Sequence, residues 1–292
     1  MKPLRGRPAG EAAAGGGAGG KTLAMSGRII VTGATGSMGA AAVEALAAQG
    51  HAVLMACRNR DKAEGVRKDI LSRVPQAEIL IRQLDLASMA SVRLFVDSLG
   101  DEPVEALFNN AGVISKGYFK TLDGFENTFS VNYFGPWLLT QLLLPKLPQD
   151  ARIVNMISLT CRYARLDETK LQPTRREFRQ LKTYALAKRA MMSFSMELAR
   201  RHPSLRINLA DPGIVASDMI DLGHWYDGLA DVLFKPFCRK PKAGVQPALR
   251  ALAAAEGNRY YVGKGSREIP ERFRDPELDA RIWAATEALI GV

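Results

Sequence analysis

The sequence has 292 residues but only three cysteines and three histidines. Cys57, Cys161 and Cys238 lie far apart and form no Cys-x-x-Cys pair. This excludes a disulfide framework and favours a reducing compartment, so we expect a cytoplasmic protein. The histidines are equally scattered, and we expect no metal site.

Long apolar runs are also missing. No stretch reaches the roughly 18 apolar residues that a membrane-spanning helix needs. Residues 1–26 are rich in Gly and Ala but poor in large apolar side chains, which predicts a flexible leader rather than a secretory signal. Zinc-finger spacing, basic heptads and RNP-like aromatic motifs are absent, so no nucleic-acid partner is expected.

Acidic residues are scarce in two segments, and these account for the net charge of +10. They are residues 1–28 and residues 162–189, the latter with nine basic and three acidic side chains. Such a patch is either a solubilising surface or a binding surface for an anionic group, and the sequence leaves both readings open.

Apolar strand patterns alternate with helical patterns from residue 27 to residue 292. This order predicts an α/β fold, a single Rossmann-type doubly wound parallel sheet with helices on both faces. Helices are expected from about Ser37, from Arg60 to Arg73, from Gly124 to Leu147 and from Tyr184 to Arg201. About seven strands are expected, at RIIVT, AVLMAC, AEILIRQLDL, VEALFNNAG, ARIVNMIS, LRINLADPG and RYYVG.

The first strand leads into VTGATGSMG, which places glycines at Gly33, Gly36 and Gly39. Glycines between a strand and a helix allow a tight turn, a close approach of pyrophosphate to backbone amides, and close helix–strand packing. The second strand leads into ACRNRDK, where no acid lies at the strand end itself to bind a ribose 2′-hydroxyl. Arg58 offers a charged fork suited to a 2′-phosphate, so NADP(H) is preferred over NAD(H).

A second set of residues predicts proton-transfer chemistry. YALAK places Tyr184 and Lys188 on one helix face, where the ammonium is expected to ease ionisation of the phenol. Ser158 ends the fifth strand, and Asn132 lies within the preceding helix. The tyrosine could then act as a general acid or base on a carbonyl or an alcohol.

Together, TGATGSMG, LDL, NNAG, VNYFG, IVNMIS, YALAK and DPGIVAS resemble the short-chain dehydrogenase/reductase family over residues 27–292. The resemblance implies that Tyr184 is the catalytic acid/base, that Lys188 lowers its pKa and binds the nicotinamide ribose, that Ser158 orients the substrate oxygen, and that Asn132 holds a relay water. It also implies a cofactor site formed by Gly33, Gly36, Ser37, Met38, Gly39, Arg58, Asp85, Leu86, Asn110, Ala111, Gly112, Tyr184, Lys188, Pro212, Gly213, Ile214, Val215 and Ser217.

MACRNRDKAE, DLASMASVRLFVDSL and ARIWAATEALIGV resemble the retinol-dehydrogenase-like group, as does the long interval between Ser158 and Tyr184. The resemblance implies an NADP(H)-dependent oxidoreductase acting on a lipophilic alcohol or carbonyl compound. Ser37 departs from the usual family turn, which has glycine there, and the resulting spacing resembles the epimerase branch. We expect the Ser37 hydroxyl to contact phosphate or to cap the helix.

Residues 214–240 are expected to carry a substrate lid. An apolar stripe there predicts core packing, a lipophilic pocket or a shallow membrane contact. A homodimer is a separate expectation. The stripe consists of Leu222, Trp225, Tyr226, Leu229, Val232 and Leu233. Two alternative functions stay open: a non-catalytic NADP(H)-binding sensor, and an epimerase-like enzyme with tightly held NAD.

Overall fold

A computed structural model describes residues 27–213 and 240–291. Within these residues, eight strands form one sheet in the order β3-β2-β1-β4-β5-β6-β7-β8. The strands β1 to β7 are parallel, and β8 is antiparallel to β7. The strands are Arg28–Thr32 (β1), Val53–Cys57 (β2), Ile79–Gln83 (β3), Val104–Asn109 (β4), Arg152–Met156 (β5), Arg206–Asp211 (β6), Arg259–Val262 (β7) and Gly265–Glu268 (β8).

Helices cover both faces of the sheet, as the sequence predicts. The α-helices are Ser37–Ala48 (α1), Arg60–Arg73 (α2), Met89–Ser98 (α3), Asn127–Phe129 (α4), Gly135–Leu143 (α5), Gln180–Arg201 (α6), Pro241–Gly244 (α7), Gln246–Ala253 (α8) and Pro276–Ile290 (α9). A π-helix occupies Ser130–Phe134, and 3₁₀ turns occupy Leu144–Lys146, Leu159–Tyr163, Glu168–Lys170 and Glu271–Phe273.

The two largest apolar cores fill the spaces between the sheet and its helices. On one face, Trp137 of α5 and Phe194 of α6 both pack against Trp283 of α9, with ring centroids 5.6 Å from it. On the other face, Val43 of α1, Ile70 of α2 and other buried apolar residues pack against the strands. The strands β1, β2, β4, β5 and β6 are buried on both sides, which explains why their sequences are largely apolar runs rather than alternating patterns.

The expected helix from Gly124 to Leu147 differs in the structure. It begins at Asn127 because Gly124 adopts a turn at φ +83° and the buried Glu126 carboxylate accepts hydrogen bonds from the amides of Thr128 and Phe129. A π segment then interrupts the helix and ends two residues before Pro136. Proline has no N–H to donate to the carbonyl of Asn132, so the regular hydrogen-bond ladder cannot continue there.

Strand order reverses beside β1, which has β2 on one side and β4 on the other. In open α/β sheets, ligands bind beyond the carboxyl ends of the strands at such a switch point. The fold therefore predicts a ligand site formed by the loops after β1, β4 and β5. Residues 1–26, the predicted leader, and most of the predicted lid lie outside the described residues, as do Ile214, Val215 and Ser217.

Candidate active site

A cleft of about 930 Å³ opens at this switch point. It brings together most of the residues predicted from the sequence, from both the glycine turn and the catalytic set. Those lining the cleft are Gly33, Gly36, Ser37, Met38, Gly39, Arg58, Asp85, Leu86, Asn110, Ala111, Gly112, Ser158, Tyr184, Lys188, Pro212 and Gly213.

The glycine turn is shaped by two positions that cannot carry a Cβ. Gly33 has φ +63°, and a Cβ there would lie 2.8 Å from the Cα of Ala111. A Cβ on Gly39 would lie 2.2 Å from the carbonyl oxygen of Gly33. The Asn110 side-chain amide fixes the same turn by donating to the carbonyl oxygen of Thr32 at 2.9 Å. The first helix can therefore approach the end of β1 closely, as the motif predicts.

Ser37 does not cap α1. The cap residue is Gly36, with an extended backbone at φ −74° and ψ 161°, and no side chain accepts from the first amides of the helix. The expectation that Ser37 caps the helix is therefore wrong, because Ser37 is already the first helical residue. Its hydroxyl is exposed at the cleft, and its contact with phosphate stays a prediction.

Arg58 is exposed at the rim of the cleft, directly after β2. Lys62, which the sequence analysis did not select, also lines the cleft. It lies in the first turn of α2, where its amide donates to the Asn59 side chain at 2.8 Å. The spacing of Lys62, four residues or about one helical turn after the strand-end Arg58, could have identified it as a second cation of the cleft. Asp85 lies on the adjoining wall and accepts from the amide of Ala87 at 3.0 Å.

Tyr184 and Lys188 lie on α6, and both are almost fully buried, with 6% and 3% of their surface exposed. Lys188 Nζ donates to the carbonyl oxygen of Met156, at the end of β5, at 3.0 Å. It lies 5.8 Å from the centre of the Tyr184 ring. Ser158 follows β5 by two residues, and its Oγ accepts from Thr160 Oγ1 at 3.0 Å. A phenol, an ammonium and a hydroxyl thus line one wall of the cleft.

Burial dominates the acid–base properties of this group. It raises the pKa of Tyr184, with further increases from Cys161 and Asp211, while a hydrogen bond with Ser158 acts in the opposite direction. Burial also lowers the pKa of Lys188 to about 8. Burial therefore leaves the net pKa of Tyr184 above its ordinary value. The expected contribution of Lys188 to that pKa stays a prediction. Tyr184 is held protonated at neutral pH, which suits a proton donor.

Asn132 is buried behind the cleft wall within the π segment. Its Nδ2 donates to the carbonyl oxygens of Val113 and Thr128 at 2.8 and 2.7 Å, and its Oδ1 accepts from the amide of Val113 at 3.3 Å. Asn132 therefore ties the loop after β4 to the π segment. Its expected contact with a relay water stays a prediction.

A buried polar network below the cleft was missed by the sequence analysis. Asn109 of β4 donates to Asn155 of β5 at 2.9 Å, and Asn155 donates to Ser195 of α6 at 2.7 Å. The network links two central strands to the helix that carries Tyr184. The asparagines within otherwise apolar strands could have indicated this network, since a buried side-chain amide requires hydrogen-bond partners.

Asp211, at the end of β6, holds the Pro212–Gly213 turn. Its buried carboxylate accepts from the amide of Gly213 at 2.9 Å and from the Tyr260 hydroxyl at 2.6 Å. The turn is predictable from the sequence, but its contact with Tyr260 is not, because Tyr260 lies far along the chain on β7. The pair fixes the last described part of the cleft wall.

The family model for short chain dehydrogenases matches residues 28–224. The chain belongs to the short-chain dehydrogenase family. It is 31% identical to human (Homo sapiens) retinol dehydrogenase 13 over 90% of this chain and 84% of that protein. It is 35% identical to dehydrogenase/reductase SDR family member 13 of Bos taurus, over 90% of this chain and 73% of that protein.

A solved structure supports the same fold. The short-chain dehydrogenase from Sphingobium yanoikuyae in complex with NADPH superposes with a TM-score of 0.63 at 20% identity, covering 91% of this chain and 95% of that one. Membership makes the protein a short-chain dehydrogenase of the retinol-dehydrogenase-like group, a family of oxidoreductases that bind NAD(P)(H) and act on small alcohols and carbonyl compounds. None of the helices within residues 27–213 and 240–291 is long and apolar enough to cross a membrane.

Proposed function

We propose that this short-chain dehydrogenase is NADP(H)-dependent and interconverts a lipophilic alcohol and the corresponding carbonyl compound. The observation that carries the proposal is the shared cleft, in which the wall formed by Tyr184, Lys188 and Ser158 stands beside the glycine turn.

The residues present fit a phosphorylated dinucleotide. Gly33 and Gly39 leave space where any side chain would collide with backbone atoms. The first amides of α1 have no side-chain acceptor, which suits them to a pyrophosphate. Arg58 and Lys62 place two cations on the rim of the same cleft, where a 2′-phosphate would meet them. The NADPH complex of the structurally similar dehydrogenase supports the same choice.

The three catalytic side chains have different roles in the reaction. A nicotinamide cofactor held by the glycine turn and Lys188 would supply or accept the hydride at the substrate carbon. In the reductive direction, Tyr184 donates its phenolic proton to the substrate oxygen, and its raised pKa keeps that proton in place until the oxygen gains charge. The Ser158 hydroxyl orients that oxygen, while Lys188 supplies positive charge beside the phenol.

The lipophilic character of the substrate is supported by the cleft wall and by the relatives. Val113, Ile114, Leu159 and Leu181 add apolar surface around the catalytic group. The human relative at 31% identity is named for retinol, an apolar alcohol. The cytoplasmic location and a homodimeric state stay predictions.

A cofactor-consumption assay tests the proposal. Purified protein is given NADPH or NADH with a panel of apolar aldehydes and ketones, and loss of the reduced cofactor is followed by its absorbance. We expect turnover with a clear preference for NADPH. Preference for NADH would contradict the cofactor choice, absence of turnover with NADPH bound would indicate a non-catalytic binding protein, and NAD retained through purification would indicate epimerase-like chemistry.

A further inference from the structure

A second pocket of about 460 Å³ adjoins the catalytic cleft. Thr160, Tyr163 and Leu181 line both spaces. Thr160 is also the residue that donates to Ser158 Oγ at 3.0 Å. A molecule whose carbonyl lies at Ser158 and Tyr184 could therefore extend past Thr160 into this pocket.

The pocket lining combines apolar and cationic side chains. Tyr163 and Leu181 leave 84% and 50% of their surface exposed, which is unusual for large apolar side chains. The cations that line the same pocket are Arg165, Lys170 and Lys182, and the lining contains no carboxylate. Such a pocket favours a ligand that has an apolar body and an anionic end.

Two of the three cations are available to a ligand. Lys170 is paired with Asp167 in the adjacent 3₁₀ turn. Within the part of the chain that the structure describes, Arg165 and Lys182 form no ion pair. Both side chains are exposed, so they could reach an anion without first breaking an ion pair. The charge of Lys182 also attracts the nearby Glu177 carboxylate and contributes to lowering the pKa of that group.

The start of α6 lies at the second pocket, through Leu181 and Lys182. Its first turn contains no acidic residue, so the positive end of the helix dipole is not offset by a carboxylate on that turn.

We propose that the second pocket binds the acidic end group of the substrate, so that the preferred substrates are apolar carbonyl compounds or alcohols with a carboxylate at the far end. This inference rests on the proposed function, since it assigns the substrate class of the same site. The basic segment 162–189 is then partly a binding surface, because Arg165 and Lys182 belong to it.

The test compares straight-chain ω-oxo carboxylic acids of increasing length with their methyl esters, as substrates with NADPH. We expect kcat/KM to favour the acid over its ester by about tenfold at the length that spans the two sites, mainly through KM. Arg165→Gln combined with Lys182→Gln should remove that preference and leave the esters unaffected. Lys68→Gln combined with Arg93→Gln, two exposed cations on α2 and α3, should retain it.

Equal rates for acids and esters at every length would overturn the inference, as would a preference that survives in the Arg165/Lys182 double variant. Turnover of neither class would instead overturn the proposed function. A calorimetric titration with decanoate and decanol then decides the pocket separately: binding of decanoate that is lost in the double variant supports it, and absence of decanoate binding to the wild type refutes it.

Discussion

The glycine turn after β1 and the buried face of α6 meet in one cleft, but they are built by different means. At the turn, the decisive property is the absence of a side chain, because a Cβ on Gly33 or Gly39 would overlap backbone atoms. On α6, it is the removal of Tyr184 and Lys188 from water, which moves the pKa of both groups. The cofactor half thus depends on local sterics, whereas the catalytic half depends on burial by distant elements. Variants can separate the two.

The largest effect should come from Tyr184→Phe. The variant keeps the packing of the ring but deletes the proton donor, so turnover should fall by about 10² or more. NADPH binding, measured by calorimetry, should change little, which would show that the two halves are separable. Tyr118→Phe, at a partly buried tyrosine outside the cleft, is the control. Near-normal turnover by Tyr184→Phe on any good substrate would exclude Tyr184 as the acid.

Arg58→Ala should affect the cofactor half alone. Loss of a charge-assisted contact to a 2′-phosphate costs roughly 1.5–3 kcal/mol, so the KM for NADPH should rise by about ten- to a hundredfold. The KM for NADH and the kcat at saturating cofactor should stay close to wild type. Lys62→Ala should show a smaller effect of the same kind. Equal losses with both cofactors would contradict the assignment of Arg58 to the 2′-phosphate.

Gly39→Ala tests whether the absence of a side chain at this position is what the turn requires. The new Cβ would meet the Gly33 carbonyl oxygen at 2.2 Å, so we expect a loss of about 1–3 kcal/mol of unfolding free energy and weaker NADPH binding. Gly65→Ala is a matched control, because Gly65 is also helical but has nothing within 4 Å of the added atom. That variant should gain about 0.5–1 kcal/mol. Denaturant titrations measure both, and a Gly39→Ala protein as stable as wild type would contradict the packing argument.

The pH dependence of stability tests burial on α6. Burial lowers the pKa of Lys188 to about 8, below its ordinary value of 10.5. Between these values the unfolded chain holds a proton that the folded chain has released, so stability should rise with pH. Relative to Lys188→Met, the wild type should gain about 2 kcal/mol from about pH 8 to about pH 10. Denaturant titrations of both proteins at matched pH provide the measurement, and parallel pH profiles would show that Lys188 is not desolvated.

The two halves also differ in how well the sequence predicted them. The glycine turn, the strands up to β7 and the helix Arg60–Arg73 follow from local patterns, since glycine positions and apolar runs act within a few residues. The strand β8 was missed because its four residues are all exposed and carry no apolar pattern. It pairs at the sheet edge after a turn in which Gly263 has φ +57°.

What the sequence could not predict is mostly long-range. The sign of the Tyr184 pKa shift depends on burial by elements far along the chain, not on the Lys188 spacing. The contact of Asp211 with Tyr260 joins residues of different strands, and no local pattern marks such a pair. The π segment is an exception, because Pro136 was visible in the sequence and its missing N–H ends the regular ladder.

The smallest effect concerns Ser37, where the chain departs from the usual family turn. If the backbone passes close to the pyrophosphate there, Ser37→Gly should be tolerated or should tighten NADPH binding by relieving crowding. If the hydroxyl donates to phosphate, Ser37→Gly and Ser37→Ala should both weaken binding by roughly 0.5–1.5 kcal/mol. We expect the second result, because the structure leaves the hydroxyl exposed at the cleft beside the uncapped amides of α1. Calorimetric titration of the three proteins with NADPH decides between them. A dissociation constant that is unchanged or tighter in both variants would exclude the hydroxyl contact, and no binding by any of the three would exclude the cofactor itself.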